Sequence, residues 1–222
     1  MKLSTDRIID AGMATFAEVG YQGLSMRRVA ERLDVHAGSL YYHVRNKDAL
    51  LALMADRIAR QAYDAGSAAL AALPEGADWQ ARIEAQAVTL RESIRRHPGG
   101  PILLADGPKM LSTGALSLME RLLVTLRDAG VPAGHRIIVA DTLLSHITGF
   151  VLQEQSESPT PAVGHQDVAD LHERFPMTIT EAPGHTSDEK FLRSVRLLCA
   201  AARTTIEPGA AHDGPPGCRS LV

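Results

Sequence analysis

Residues 25–44 read SMRRVAERLDVHAGSLYYHV, and the spacing of the apolar side chains within them decides the fold. Val29, Ala30 and Leu33 recur at helical spacing over residues 26–33. Ser25 stands just ahead, where its hydroxyl can accept from an orphan amide one turn later. Leu40 and Val44 set the inward side of a second short helix over residues 37–44. Between the two, Asp34-Val35-His36 is too short for an ordinary loop and carries an apolar residue at its centre. Two short helices joined by so tight a turn form a helix-turn-helix.

Working outward, residues 5–19 read as a helix that starts on Ser4 or Thr5 and stops at Gly20. After Asn46-Lys47 a long helix runs over residues 48–73, with Leu50, Leu51, Met54 and Ile58 on one stripe, until Pro74-Glu75-Gly76 breaks it. Further helices are expected over 78–96, 114–129, 134–155 and 187–206, the last with Ser187 as its cap. Residues 102–112 are short helix or irregular, interrupted by Gly107-Pro108. Residues 156–187 read mostly as loop, with one short helical run over 166–174. No strand and no internal repeat is legible. The chain therefore divides into an all-α head at 1–47, a larger helical domain at 48–207, and a Gly/Pro-rich tail at 208–222 expected to be disordered.

The bulk numbers agree. A chain of 222 residues, 45% hydrophobic, can bury a sizeable core. With aromatics at only 4%, helices are favoured over a β-sandwich. Net charge is −3. Residues 1–48 carry seven cationic and six acidic side chains against sixteen and twenty in the remainder, so the head is the less acidic part. A DNA reader needs only a local cluster of cations at the phosphates. Cys199 and Cys218 form no zinc spacing; the first sits in an apolar run, the second in the tail. No signal peptide and no run of roughly 18–20 apolar residues is visible, so a cytoplasmic protein without a membrane partner is expected.

Residues 8–51, IIDAGMATFAEVGYQGLSMRRVAERLDVHAGSLYYHVRNKDALL, closely resemble the TetR family of repressors. The Gly after the first helix, the Gly-Leu-Ser-Met-Arg-Arg-Val-Ala run, and Ser-Leu-Tyr-Tyr-His-Val followed by Asn-Lys carry the likeness. Trp79-Gln80, the His97–Gly100 turn and Ser145-His146-Ile147-Thr148-Gly149 are similar to the tetracycline-repressor subgroup. The resemblance implies a ligand-responsive regulator, a repressor by default, that binds double-stranded operator DNA as a homodimer.

In such a head the second motif helix enters the major groove and its early residues reach base edges. Those are Ala37, Gly38 and Ser39. Gly38 lets the backbone approach closely, and Ser39 can bond a base or a phosphate. Where family members often carry Gln or Thr at the head of this helix, the chain has Ala37. Arg27 is the best candidate for a base contact, because Arg pairs bidentately with guanine; Arg28 lies beside it. Tyr41, Tyr42, His43 and Lys47 are expected to hold phosphates, which fix register without reading sequence. Either tyrosine could instead be a core residue.

For an effector site, Gln86, Thr89, Ser145, His146 and Gln153 supply polar groups, with Leu90 and Leu104 in the apolar lining. His146 has two readings, a hydrogen-bonded core histidine or a pocket residue. In the tetracycline repressor a His after the turn holds a magnesium ion, a Glu of the partner subunit supports the ion's water shell, and another His contacts the drug. The aligned residues here are Leu104, Gln153 and Tyr63. Leu104 is no ligand for a hard cation and Gln153 lacks the charge, so a different, largely apolar effector is expected. The other histidines are scattered, and no HExxH, phosphate loop or nucleophile elbow appears. No catalysis, metal or cofactor is expected. The rival reading is a helical ligand-binding or adaptor protein without operator specificity. The dimer interface is expected from residues 134–155 and 187–206, paired into a four-helix bundle between subunits.

Overall fold

A computed structural model describes residues 2–106, 112–156, 165–181 and 184–206, and every regular element among them is a helix. The tail, with Cys218, lies outside the described residues, as do residues 107–111. Eleven helices follow in order: α1 Thr5–Gly23, α2 Met26–Leu33, α3 Ala37–Tyr41, α4 Lys47–Ala71, α5 Trp79–Arg95, α6 Gly100–Asp106, α7 Thr113–Asp128, α8 Ala133–Gln155, α9 His165–Arg174, α10 Pro176–Glu181 and α11 Ser187–Arg203.

The N-terminal helices form where the capping chemistry puts them. Ser4, Ser25 and Asn46 each accept from the amide three residues on, opening α1, α2 and α4. The first helix breaks at Gly20, whose φ of 67° and ψ of −173° leave helical space. Asp34 takes the left-handed conformation at φ 55° and turns the chain from α2 into α3. Ile8, Phe16, Val29, Leu40, Val44 and Leu50 close the core of the head. Gly12 lets α1 approach α4 closely: a Cβ there would sit 3.0 Å from Met54 Sδ. Arg57 on α4 reaches back to Asp6 at 2.6 Å and Asp10 at 3.0 Å on α1.

The α4 helix is the spine of the molecule, packed most extensively on α5 and α7. Gly114 permits the α4–α7 contact, since a Cβ there would meet Arg60 N at 2.8 Å and Asp56 O at 2.9 Å. Asp56 ties the same crossing by accepting from Ser112 Oγ and Gly114 N, both at 2.8 Å. Burial raises the Asp56 pKa, but these bonds and Arg60 together outweigh it and hold the carboxyl below its usual range.

Three local expectations are corrected. Thr186, not Ser187, caps α11, in a capping box with Glu189; the Ser187 hydroxyl instead donates to Glu154. The α10 helix lies in a stretch read as loop, and it opens on Pro176, whose missing N–H costs nothing at a first helical position. The long helix after the head starts at Lys47 rather than Asp48, because Asn46 is its cap. Cys199 is buried as expected, and burial pushes its thiol up to about 12.

Candidate nucleic-acid interface and effector pocket

The helix-turn-helix sends its apolar side inward and leaves a polar face. Leu40 is fully buried and Val44 nearly so, which turns Gly38, Ser39, Tyr41 and Tyr42 outward while Ala37 and His43 are half-buried. Tyr42 is 90% exposed and Tyr41 50%, so neither is a core residue. Tyr42 and His43 meet edge to face at 5.5 Å. A Cβ on Gly38 would meet nothing within 4 Å, so nothing inside the subunit requires glycine there. Arg27 and Arg28 are exposed at the start of α2, with Arg27 Nε resting on Glu31 at 2.9 Å. Exposed ion pairs of this kind are weak and leave the guanidinium available.

Lys47 differs from the rest. Its ammonium donates to Tyr21 O at 2.8 Å and lies 4.9 Å from the centre of the Tyr21 ring. It anchors the start of α4 to the end of α1 with one of its three donors. Arg45, exposed in the turn before it, is a cation that the sequence reading does not single out.

In the larger domain a pocket opens between α5, α7 and α8. Its walls are Ile83, Ala87, Leu90, Leu118, Leu122, Leu143, Leu144 and Ile147, and its polar residues are Gln86 and Arg121. The free space is about 10 Å³, room for about one water. Gln86 is 4% exposed and fully engaged. It donates to Thr125 Oγ1 at 3.1 Å and to Arg82 O at 3.1 Å, and accepts from Arg121 Nε at 3.1 Å.

Of the sequence-derived effector residues, the pocket brings together Gln86 and Leu90 alone. The Thr89 hydroxyl is spent on Ala85 O and Gln86 O within its own helix. Leu104 is half-buried on α6, and Ser145 and Gln153 are exposed on α8. His146 belongs to a separate aromatic cluster. It shares a 2.6 Å hydrogen bond with Ser194 Oγ, stacks on Phe191 at 6.2 Å and meets Phe150 at 5.8 Å. Burial lowers its pKa, which favours the neutral ring.

The sequence reading misses the centre of that cluster, Arg91. Its side chain is 4% exposed, with its guanidinium 4.8 Å from the Phe191 ring centre and 5.5 Å from Phe150. Two bonds go to Glu154, at 3.0 and 2.5 Å, and a third to Asp188 at 2.7 Å. Hydrogen bonding from Arg91 holds the Glu154 carboxyl below the usual carboxylate range, against the opposing effect of burial. This cluster locks α5, α8 and α11 together.

The outer surfaces of α8 and α11 carry large exposed apolar side chains. Ile138 is 60% exposed, Leu152 43% and Leu197 71%. By length and composition α8 could cross a membrane, yet only 22% of its most apolar stretch is buried within the subunit. Val195 is fully buried and belongs to the subunit core, whereas Leu197 is a large apolar side chain that α11 offers outward.

Comparison with known proteins agrees with this architecture. Residues 8–54 match the profile of bacterial regulatory proteins of the tetR family, and residues 72–201 that of the tetracyclin repressor-like C-terminal domain. The HTH-type transcriptional repressor DrrR1 of Streptomyces coeruleorubidus is 35% identical over 218 residues, covering 96% of this chain and 73% of that protein. The class D tetracycline repressor protein of Escherichia coli is 28% identical over 163 residues, 71% of this chain and 69% of its own length. Among solved structures, that of Streptomyces coelicolor ActR in complex with (S)-DNPA superimposes with a TM-score of 0.74 at 23% identity, over 93% of this chain and 100% of that one. The chain belongs to the TetR family of bacterial transcriptional regulators, with a C-terminal domain of tetracycline-repressor type.

Proposed function

We propose that the chain is a ligand-responsive repressor that grips palindromic operator DNA as a homodimer and lets go when a small molecule enters the α5–α7–α8 pocket. The observation that carries the reading is the outward side of the helix-turn-helix. Gly38 and Ser39 are open for close approach, Tyr41 and Tyr42 stand exposed beside them, and Arg27 and Arg28 project from α2. Arg27 reads a base; Arg28, Tyr41, Tyr42 and His43 hold phosphates; Ala37 contributes apolar contact. Lys47 anchors α4 and gives its remaining donors to the backbone. The head spans residues 1–47 and the effector and dimerisation domain 48–207.

The pocket must widen to admit anything larger than water, so its occupant parts α5, α7 and α8. The α7 helix is tied to α4 through Asp56, Ser112 and Gly114. Movement of α7 therefore pulls the helix that carries the head. DNA affinity falls only as far as the effector prefers the widened state. ActR, similar in fold, has been solved with a bound small molecule, which supports ligand control here. The effector is not magnesium–tetracycline, because Leu104, Gln153 and Tyr63 supply neither an oxygen donor of the right charge nor a histidine. A regulator of this kind works in the cytoplasm and needs no membrane.

The test is fluorescence anisotropy on DNA cloned from upstream of the chain's own reading frame. Binding that survives excess competitor DNA is expected. A salt-sensitive shift blind to sequence would instead support a protein without operator specificity.

A further inference from the structure

One cation beside the pocket has no ion-pair partner among the described residues. Arg121 lines the apolar space, yet it makes no ion pair among the described residues. Its Nε donates to Gln86 Oε1 at 3.1 Å, and its Nη1 to Tyr63 O at 2.6 Å and Ser67 Oγ at 2.9 Å. The guanidinium lies 4.6 Å from the centre of the Tyr63 ring. Every one of these partners is neutral. The other arginines that tie the helices together have carboxylates: Arg57 holds Asp6 and Asp10, Arg60 holds Asp56, and Arg91 holds Glu154 and Asp188. Arg121 Nη2 finds no acceptor among the described residues and lies against α4 where Gly66 leaves room; a Cβ there would sit 2.3 Å from it. Burial pushes the Arg121 pKa down, opposed by its electrostatic interaction with Tyr63 and Asp64. The guanidinium is half-buried and has only neutral hydrogen-bond partners, so an anion that reaches it gains a charge-assisted partner.

We propose that the effector is an amphipathic acid whose apolar body packs on Leu90, Leu118, Leu122, Leu143 and Ile147 and whose carboxylate, or equivalent acidic group, pairs with Arg121. This rests on the reading of the chain as ligand-responsive. The guanidinium fork can donate bidentately to a carboxylate, which a lysine could not do. The same fork holds the Tyr63 carbonyl and Ser67 on α4. An arriving anion competes for those N–H groups, so its charge acts directly on the helix that carries the head.

The experiment is calorimetric titration of the full chain at neutral pH with two matched pairs, 2-naphthoic acid against 2-naphthamide and decanoic acid against decanamide. The acid of a pair should bind about tenfold tighter or better. In Arg121→Gln that ratio should fall to about one, the amide's affinity changing little. Arg121→Lys, which keeps the charge but not the fork, should retain part of the preference; it serves as the second variant if the glutamine form does not fold. Equal binding of acid and amide by the wild type would overturn the proposal. So would an acid preference that survives in Arg121→Gln, or no acid binding at millimolar concentration. Operator release separates this from the broader reading. If the amides release DNA and the acids do not, ligand control stands and the acid fails. If a broad set of acids and neutral compounds leaves operator binding unchanged, ligand control itself fails, and the acid effector with it.

Discussion

At the residue scale the two candidate surfaces differ in what they ask of a side chain. Gly38 has open space around its Cα, so Gly38→Ala should raise stability by roughly 0.5–1 kcal/mol through helix propensity, while a methyl group at the groove weakens operator binding. Thermal melts and anisotropy on the same preparation check both halves; equal DNA affinity would remove the close-approach role. Arg27→Ala should lose roughly 1–3 kcal/mol of specific binding, whereas Lys47→Ala should weaken all sequences alike. The Glu154 carboxyl is held below its usual range by Arg91. That stability is present above the unfolded glutamate pKa of ~4.3 and is lost as pH falls through the lower folded value. Glu154→Gln should therefore be less stable at neutral pH and show a flatter acid limb in urea melts. The outward side of the helix-turn-helix was legible in the sequence because Leu40 in α3 and Val44 just after it point inward and leave few residues to point out. Arg91 and Arg121 were not. Arg91 finds Glu154 sixty-three positions away and Arg121 finds the Tyr63 carbonyl fifty-eight away, so what surrounds each guanidinium is set by packing rather than local pattern.

Among the elements, the α4–α7 crossing is the proposed coupling between pocket and head. Gly114 is held there against backbone atoms of Arg60 and Asp56, which cannot swing aside. Gly114→Ala should therefore cost roughly 1–3 kcal/mol of stability and change the effect of a bound ligand on DNA affinity. A chemical denaturation midpoint equal to wild type would show that the crossing tolerates a methyl group. Elsewhere, helices with a strong cap and a regular stripe, such as α2, α4 and α11, could be read from sequence to within a few residues. The α10 helix could not, since Pro176 and the surrounding polar residues carry the same signals as a turn. His146 read equally well as core or pocket because both sites want a polar group on an apolar helix. Its bond to Ser194 and its stacking on Phe191 place it in the α8–α11 seam.

For the whole molecule, association between two copies through α8 and α11 is the proposed way to cover the exposed Ile138, Leu152 and Leu197. Leu197→Glu should leave a folded monomer by sedimentation and circular dichroism, because the side chain contributes little to the subunit core. An unchanged dimer would move the interface elsewhere. Low-micromolar tetracycline with magnesium should leave operator binding unaffected; magnesium-dependent release would show that Leu104, Gln153 and Tyr63 do not decide the effector. The central claim, that two heads read one palindrome, is tested most directly by footprinting the wild type and Leu197→Glu side by side on the upstream DNA. For the wild type, protection of two half-sites about 34–36 Å apart or a multiple of that spacing is expected, with loss of protection in the variant at the same concentration. A single unpaired half-site, protection indifferent to sequence, or an identical footprint from a monomeric variant would contradict it.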